Sequence, residues 1–85
     1  MKIEICENRA IGTLCYDYCD IIEFSQKFKN SWPIDLLAKE NGLSYFYYYD
    51  IVNNLVFFEL YGSITSMMRF RYVLKSLFKF KEKHE

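Results

Sequence analysis

The chain has 85 residues, of which 52% are apolar, 20% aromatic and 26% charged. This composition predicts one small folded domain and excludes an intrinsically disordered chain. Apolar runs are only a few residues long, far short of the roughly 18–20 residues that cross a bilayer, so we expect no membrane segment. Lys2 and Glu4 interrupt the N-terminal apolar residues, so we also expect no signal peptide and a cytoplasmic, intracellular protein.

The charges cancel overall but are unevenly distributed. Residues 1–60 hold five Lys/Arg and nine Asp/Glu, whereas residues 61–85 hold six Lys/Arg and two Asp/Glu. The sequence therefore predicts an acidic body and a basic C-terminal segment, which can form two different electrostatic surfaces.

The cysteines give no sign of a disulfide framework or a metal site. Cys6, Cys15 and Cys19 are an odd set without a secretion signal. A structural zinc site needs four Cys or His ligands, and the only histidine, His84, lies next to the C-terminus. We expect buried thiols and no bound metal.

The first half predicts one strand and two helices. Residues Lys2–Glu7 alternate as a half-buried strand, and Asn8–Gly12 reads as a connection. Thr13 is placed to cap a helix that runs to about Lys29. A short helix over Pro33–Asn41 begins with proline and ends at a glycine cap.

Trp32 stands directly before this second helix. A single tryptophan in this position packs as a hydrophobic staple or a core plug, and if exposed it would be an anchor for a binding partner.

Residues 44–62 predict an aromatic β-hairpin. Asn53 and Asn54 can adopt the positive φ angles of a tight turn, which would pair Val52 with Leu55 and Tyr48 with Glu59. One face has no charge and is predicted to be the core side; it carries Tyr45, Tyr47, Tyr49, Ile51, Val56, Phe58 and Leu60. The other face carries aromatic rings and two carboxylates; it comprises Phe46, Tyr48, Asp50, Val52, Leu55, Phe57, Glu59 and Tyr61.

The last segment predicts a helix over about 63–83, with a C-terminal tail that we expect to fray. The predicted buried residues of this helix are Met67, Phe70, Val73, Leu74, Leu77 and Phe78. Its basic residues, Arg69, Arg71, Lys75, Lys79 and Lys83, form a predicted ridge that could contact nucleic acid or an acidic partner. Lysines late in a helix also suit its dipole without any partner.

The predicted element order is β-α-α-β-β-α. This order indicates an α+β fold, a single small domain over residues 1–85, with helices packed on one face of a small antiparallel or mixed sheet.

A competing interpretation applies to residues 34–54. Ala38, Gly42, Leu43 and Ser44 have the spacing of a helix, a turn glycine and the start of a second helix, so LLAKENGLS resembles the first half of a helix-turn-helix DNA-binding unit. The resemblance implies a recognition helix over Tyr45–Asn54. That segment has four Tyr and Asp50 but no Lys or Arg, whereas base readout uses Arg, Lys, Asn or Gln.

The sequence contains no recognisable catalytic constellation. A catalytic triad or a Cys–His pair needs a histidine as its base, and the only histidine, His84, lies next to the C-terminus. The three glycines are too scattered along the chain to form a phosphate-binding loop. We therefore expect a protein that is not an enzyme and needs no cofactor.

Two functions remain as hypotheses. The first is a stoichiometric protein-binding module, an inhibitor or regulator of a protein complex that uses Phe46, Tyr48, Asp50, Phe57, Glu59, Tyr61 and Trp32. Small phage or mobile-element proteins, such as anti-CRISPRs, antitoxins and immunity proteins, have this size, and a homodimer would also cover the aromatic face. The second is a nucleic-acid-binding regulator, which the neutral net charge disfavours.

Overall fold

The computed structural model describes residues 1–28 and 32–83 of the chain. These residues form seven elements: β1 (Lys2–Cys6), β2 (Arg9–Asp17), α1 (Tyr18–Gln26), α2 (Pro33–Glu40), β3 (Ser44–Asp50), β4 (Leu55–Gly62) and α3 (Ile64–Ser76). The strands form one four-stranded antiparallel sheet in the order β1-β2-β4-β3, and the helices pack on one face of it. The α+β class of a single domain is confirmed, and the element order is β-β-α-α-β-β-α.

Strand β2 lies where we predicted a connection and the start of the first helix. Leu14 and Tyr18 fit a helical period, but Leu14 and Tyr16 also alternate as in a strand, and both are buried. The pairing of β2 with both β1 and β4 decides between the two patterns. Glu7 and Asn8, with φ of 49° and 67°, make the tight turn before β2. Asp17 caps α1 in place of Thr13, because its carboxylate accepts a hydrogen bond from the Cys19 amide.

The predicted aromatic hairpin is confirmed, but its register differs by two residues. Asp50 pairs with Leu55 and Tyr48 with Phe57, so Val52 lies in the loop that joins the strands. The Asp50 carboxylate stabilises this loop by accepting hydrogen bonds from the Asn53 backbone and side-chain amides. Because side chains alternate with a period of two, this shift leaves every strand residue on its predicted face.

The end of helix α2 confirms the glycine cap that we predicted after it. Gly42 has a φ of 66°, and the Leu43 amide donates to the Ala38 carbonyl over 2.8 Å while the Leu43 side chain is buried. The following residues form strand β3, so the helix-turn-helix interpretation of residues 34–54 is wrong. Aromatic and β-branched residues in this segment favour a strand, and pairing with β4 stabilises it.

The hydrophobic core lies between the sheet and the three helices. Its buried side chains come from every helix, from the inner face of β2 and β4, from the turn after α2 and from the tail after α3; they are Leu14, Tyr16, Ile21, Ile34, Ala38, Leu43, Val56, Phe58, Leu60, Met67, Phe70, Leu74 and Phe80. None of the helices in the described ranges is long and apolar enough to span a membrane.

Helix α3 ends at Ser76, well before the predicted end near Lys83. Lys79 has a φ of 60°, which turns the chain back so that Phe80 packs into the core against Tyr16, with ring centroids 5.6 Å apart. The tail then pairs with β2, because the Lys83 amide donates to the Cys15 carbonyl over 2.7 Å. The predicted helix up to about residue 83 is therefore wrong, because residues 80–83 fold back onto the domain. Leu77, predicted to be buried, is exposed because the helix ends beside it.

Glu82 joins this tail to the rest of the domain. Its carboxylate accepts hydrogen bonds from Arg71 Nε, at 2.6 Å, and from the Met1 amino group. Partial burial raises the pKa of Glu82, but these two cationic hydrogen-bond donors outweigh burial and hold the pKa below its ordinary value. The Glu82 carboxylate is thus a pH-sensitive link between the tail, α3 and β1.

We predict that Glu82→Gln lowers the free energy of unfolding at pH 7 by about 1–2 kcal/mol, because a charged hydrogen-bond acceptor is lost. The folded-state pKa lies below the ordinary value of 4.5, so this contribution is present above pH 4.5 and is lost as the pH falls through the folded-state pKa. Urea unfolding of the parent chain and of Glu82→Gln at pH 7 and pH 3 measures this contribution, and Lys81→Gln, at an exposed position, is the control. A difference that does not shrink at pH 3 would contradict the assignment.

Candidate functional site

The sheet face opposite the helices is the candidate site, and we call it the open face. On β3 and β4 it carries Phe46, Tyr48, Asp50, Leu55, Phe57, Glu59 and Tyr61, and on β1 and β2 it carries Lys2, Glu4, Ile11, Thr13, Cys15 and Asp17. The strand register brings together six of the seven residues that we predicted as a protein-binding site. The seventh, Trp32, lies on the helix side of the sheet.

Four rings on the open face form an aromatic cluster: Phe46, Tyr48, Phe57 and Tyr61. Tyr48 stacks on Phe57 with centroids 5.2 Å apart and planes at 14°, and Phe46 stacks on Tyr61 at 5.9 Å and 22°. The two stacks touch through Phe46 and Tyr48, whose centroids are 6.2 Å apart. The cluster is therefore a continuous ring surface that runs across β3 and β4.

The rings of the two strands differ in accessibility. Phe57 on β4 is only 8% exposed, whereas Tyr48 and Phe46 on the edge strand β3 are 44% and 48% exposed. Phe57 therefore acts as a packing residue beneath the surface, and the rings offered to a partner are mainly those of β3. The sequence pattern assigned all four to one face but could not rank their exposure.

Two carboxylates border the aromatic cluster. Glu59 accepts a hydrogen bond from the Tyr61 hydroxyl at 3.1 Å, and partial burial together with this bond raises the pKa of Tyr61. The hydrogen bonds from Asn53 lower the pKa of Asp50, so this carboxyl stays ionised. Each carboxylate is therefore held in place beside an exposed ring.

Trp32 packs against the core. Its ring makes an edge contact with Phe24 at 5.9 Å, and its buried Nε1 faces the Tyr45 hydroxyl without a hydrogen bond of normal geometry. That hydroxyl donates to Asp35, and burial followed by this hydrogen bond raises the pKa of Tyr45. Trp32 thus lies in the position of a core plug, away from the open face.

Sequence reasoning missed the exposure of the other side of β3. We predicted Tyr47, Tyr49 and Ile51 to be core residues, but Tyr47 and Tyr49 are each 48% exposed and Ile51 lies in the hairpin loop. Strand β3 is at the edge of the sheet, so the helices cover only part of it. The run of rings from Tyr45 to Tyr49, which gives both faces of β3 aromatic side chains, was the one available signal.

The structure separates the residues that we predicted to form one basic ridge. Arg71, Lys75 and Lys79 line a groove of about 480 Å³ with Lys81, while Lys83 lies on the tail beside Cys15 and Phe57. Glu82 also lines the groove and binds Arg71, so one of the cations is already neutralised. Arg69 is an exposed residue of α3.

Cys6 and Cys19 are exposed and Cys15 is buried, and none of them forms a disulfide. Within residues 1–28 and 32–83, no three His, Cys, Asp or Glu side chains are grouped closely enough to hold a metal ion. His84, which we considered as a zinc ligand, lies outside the described residues.

Comparisons of the chain with protein-family models, with curated proteins and with solved structures found no match.

We predict that Phe57→Ala lowers the free energy of unfolding by about 3 kcal/mol, since it removes a buried ring. Tyr48→Ala should cost only about 1 kcal/mol, the value of one stacking contact on a partly exposed ring. Urea unfolding measures both, with the exposed Tyr72→Ala of α3 as the control, expected within about 0.5 kcal/mol of the parent. Equal losses for Phe57→Ala and Tyr48→Ala would contradict this difference in burial between the two rings.

Proposed function

We propose that this chain is a non-catalytic binding protein that acts stoichiometrically on another protein through the aromatic cluster of its open face. The observation that carries the proposal is the pair of exposed rings, Phe46 and Tyr48, on a sheet face that none of the three described helices covers. Contiguous apolar patches on a folded domain mark interaction sites more often than they occur without a role.

The chemistry of the site favours a protein partner of a particular kind. Rings of Tyr and Phe supply a large contact area at low entropic cost, and such residues are enriched at interface centres. Glu59 and Asp50 lie beside these rings as fixed anions. A partner surface that presents an arginine among apolar side chains would combine ring stacking, cation–π attraction and a salt bridge.

An inhibitor or regulator of a protein complex fits this proposal. Such a protein needs only a rigid domain and one competent surface, because it acts by occupying a site on its partner. Antiparallel strands on a packed core give the required rigidity, and a surface built on strands keeps its rings in fixed positions. Anti-CRISPR, antitoxin and immunity proteins of phages or mobile elements are examples of this mode of action.

Nucleic-acid binding is the second candidate. The groove lined by Arg71, Lys75, Lys79 and Lys81 is the observation that favours it, because clustered cations attract phosphate. Glu82 within the same groove weakens that attraction. The rings of the open face could also stack on bases, but Glu59 and Asp50 beside them would repel the phosphates.

The predicted outcome of an affinity capture from an extract of the source cells is one dominant protein that survives nuclease treatment. Phe46→Ser with Tyr48→Ser should reduce this capture at least about tenfold, because hot-spot rings typically contribute 2 kcal/mol or more. Bound protein is quantified by mass spectrometry against the parent chain.

The matched control is Tyr72→Ser with Leu77→Ser, which removes two apolar side chains that are even more exposed, one on α3 and one directly after it. The proposal would be contradicted if the control variant lost the captured protein while the open-face variant, Phe46→Ser with Tyr48→Ser, still bound it. Capture that disappears with nuclease, and with Lys75→Glu and Lys79→Glu, would instead support the nucleic-acid alternative.

A further inference from the structure

Strand β3 is an open edge of the sheet. Its register partners are all in β4, so its outer side carries backbone N–H and C=O groups with no strand beside them among the described residues. Such an edge can add another strand through main-chain hydrogen bonds. The edge adjoins the open face: strand addition uses the backbone of β3, and it would also cover the outer sides of the rings that project from this strand.

The two edge strands of this sheet, β1 and β3, differ in how well they are protected against the addition of another strand. Strand β1, at the opposite edge, carries Lys2 and Glu4, whose charged groups lie 3.6 Å apart and are well exposed, and the tail covers the end of β2 that β1 leaves unpaired. Charged side chains are a common way to prevent strand addition. In contrast, β3 has no Lys, Arg, Glu, Pro or Gly between Ser44 and Asp50. The sequence therefore protects one edge and leaves the other available.

The side chains of β3 are also only half covered on both faces. Phe46 and Tyr48 on the open face, and Tyr47 and Tyr49 on the helix face, are each 44–48% exposed. Phe46, Tyr47 and Tyr48 pack against rings of β4, and Tyr49 packs against Tyr18 of α1. A further strand with side chains of similar size would cover all four rings at once.

The strand is complementary to itself. A two-fold axis through Tyr47 would pair Tyr47 with Tyr47, Phe46 with Tyr48, Tyr45 with Tyr49 and Ser44 with Asp50 of the second copy. Every ring then meets a ring, and a hydroxyl faces the one carboxylate. A parallel arrangement in register would place Asp50 against Asp50, and like charges directly opposite destabilise a sheet.

From this self-complementarity we propose that two copies of the chain pair antiparallel along β3 and form one continuous eight-stranded sheet. The axis is perpendicular to the sheet, so both open faces lie on the same side and the two aromatic clusters adjoin. The proposal goes beyond the function argued above, because the dimer forms whether or not the open face binds a further protein.

The pairing should be of moderate strength. Since a buried Tyr or Phe ring covers 150–250 Å², four half-exposed rings offer roughly 400 Å² per copy and about 800 Å² in the pair. Interfaces below about 1,200 Å² are weak or transient. We therefore expect a dissociation constant on the order of 10–100 μM.

Sedimentation velocity from about 1 to 500 μM tests the proposal. The parent chain should shift from monomer to dimer over this range. Tyr47→Lys should weaken dimerisation at least about tenfold, because it places two ammonium groups opposite each other. Tyr72→Lys makes the same change on exposed α3 and should leave the constant unchanged.

Two substitutions at Ser44, an exposed residue, test the register without touching a ring. Ser44→Asp faces Asp50 of the second copy and should weaken dimerisation about fivefold, whereas Ser44→Lys should strengthen it. Circular dichroism confirms that each variant is folded. A parent chain that stays monomeric at 500 μM, or a dimer that neither Tyr47→Lys nor Ser44→Asp weakens, would overturn the proposal. A monomer that still binds its partner would leave the proposed function standing.

Discussion

The structure depends on how much of the sheet its helices can cover. The three described helices have nine, eight and 13 residues, and they can cover only one face of the four-stranded sheet. The hydrophobic core therefore lies entirely on that side, and every helix contributes side chains to it. The other face of the sheet has to be stabilised by its own side chains. In this chain the aromatic cluster does so, because its rings stack on one another across β3 and β4.

This arrangement gives the β3 rings two roles. Tyr48 shields Phe57 from solvent and is at the same time half exposed, so one side chain contributes to both stability and the proposed interaction surface. The tail has a comparable role at the other side of the sheet, where Phe80 enters the core and Glu82 holds Arg71. Exposed rings on a rigid sheet cost little entropy to dock, which is the physical reason to place a binding site there.

Local patterns predicted the α+β class, the hairpin and the hairpin residues of the open face, because each of these follows from residues that are close in sequence. The same patterns failed where distant pairing decides the structure. Leu14 and Tyr16 belong to a strand since β4 lies beside them, and α3 ends early since Phe80 packs against Tyr16. The exposure of Tyr47 depends on the position of β3 at the edge, which no local pattern records.

The most direct test of the account measures which rings contact solvent. Nuclear magnetic resonance with a soluble paramagnetic agent reports this for each aromatic side chain in the folded protein. The account predicts strong broadening for Phe46 and Tyr48, weak broadening for Phe57, and none for Phe58 and Tyr16 on the helix side. Protection of Phe46 and Tyr48 equal to that of Phe58 would show that the open face is covered, and would contradict the central claim.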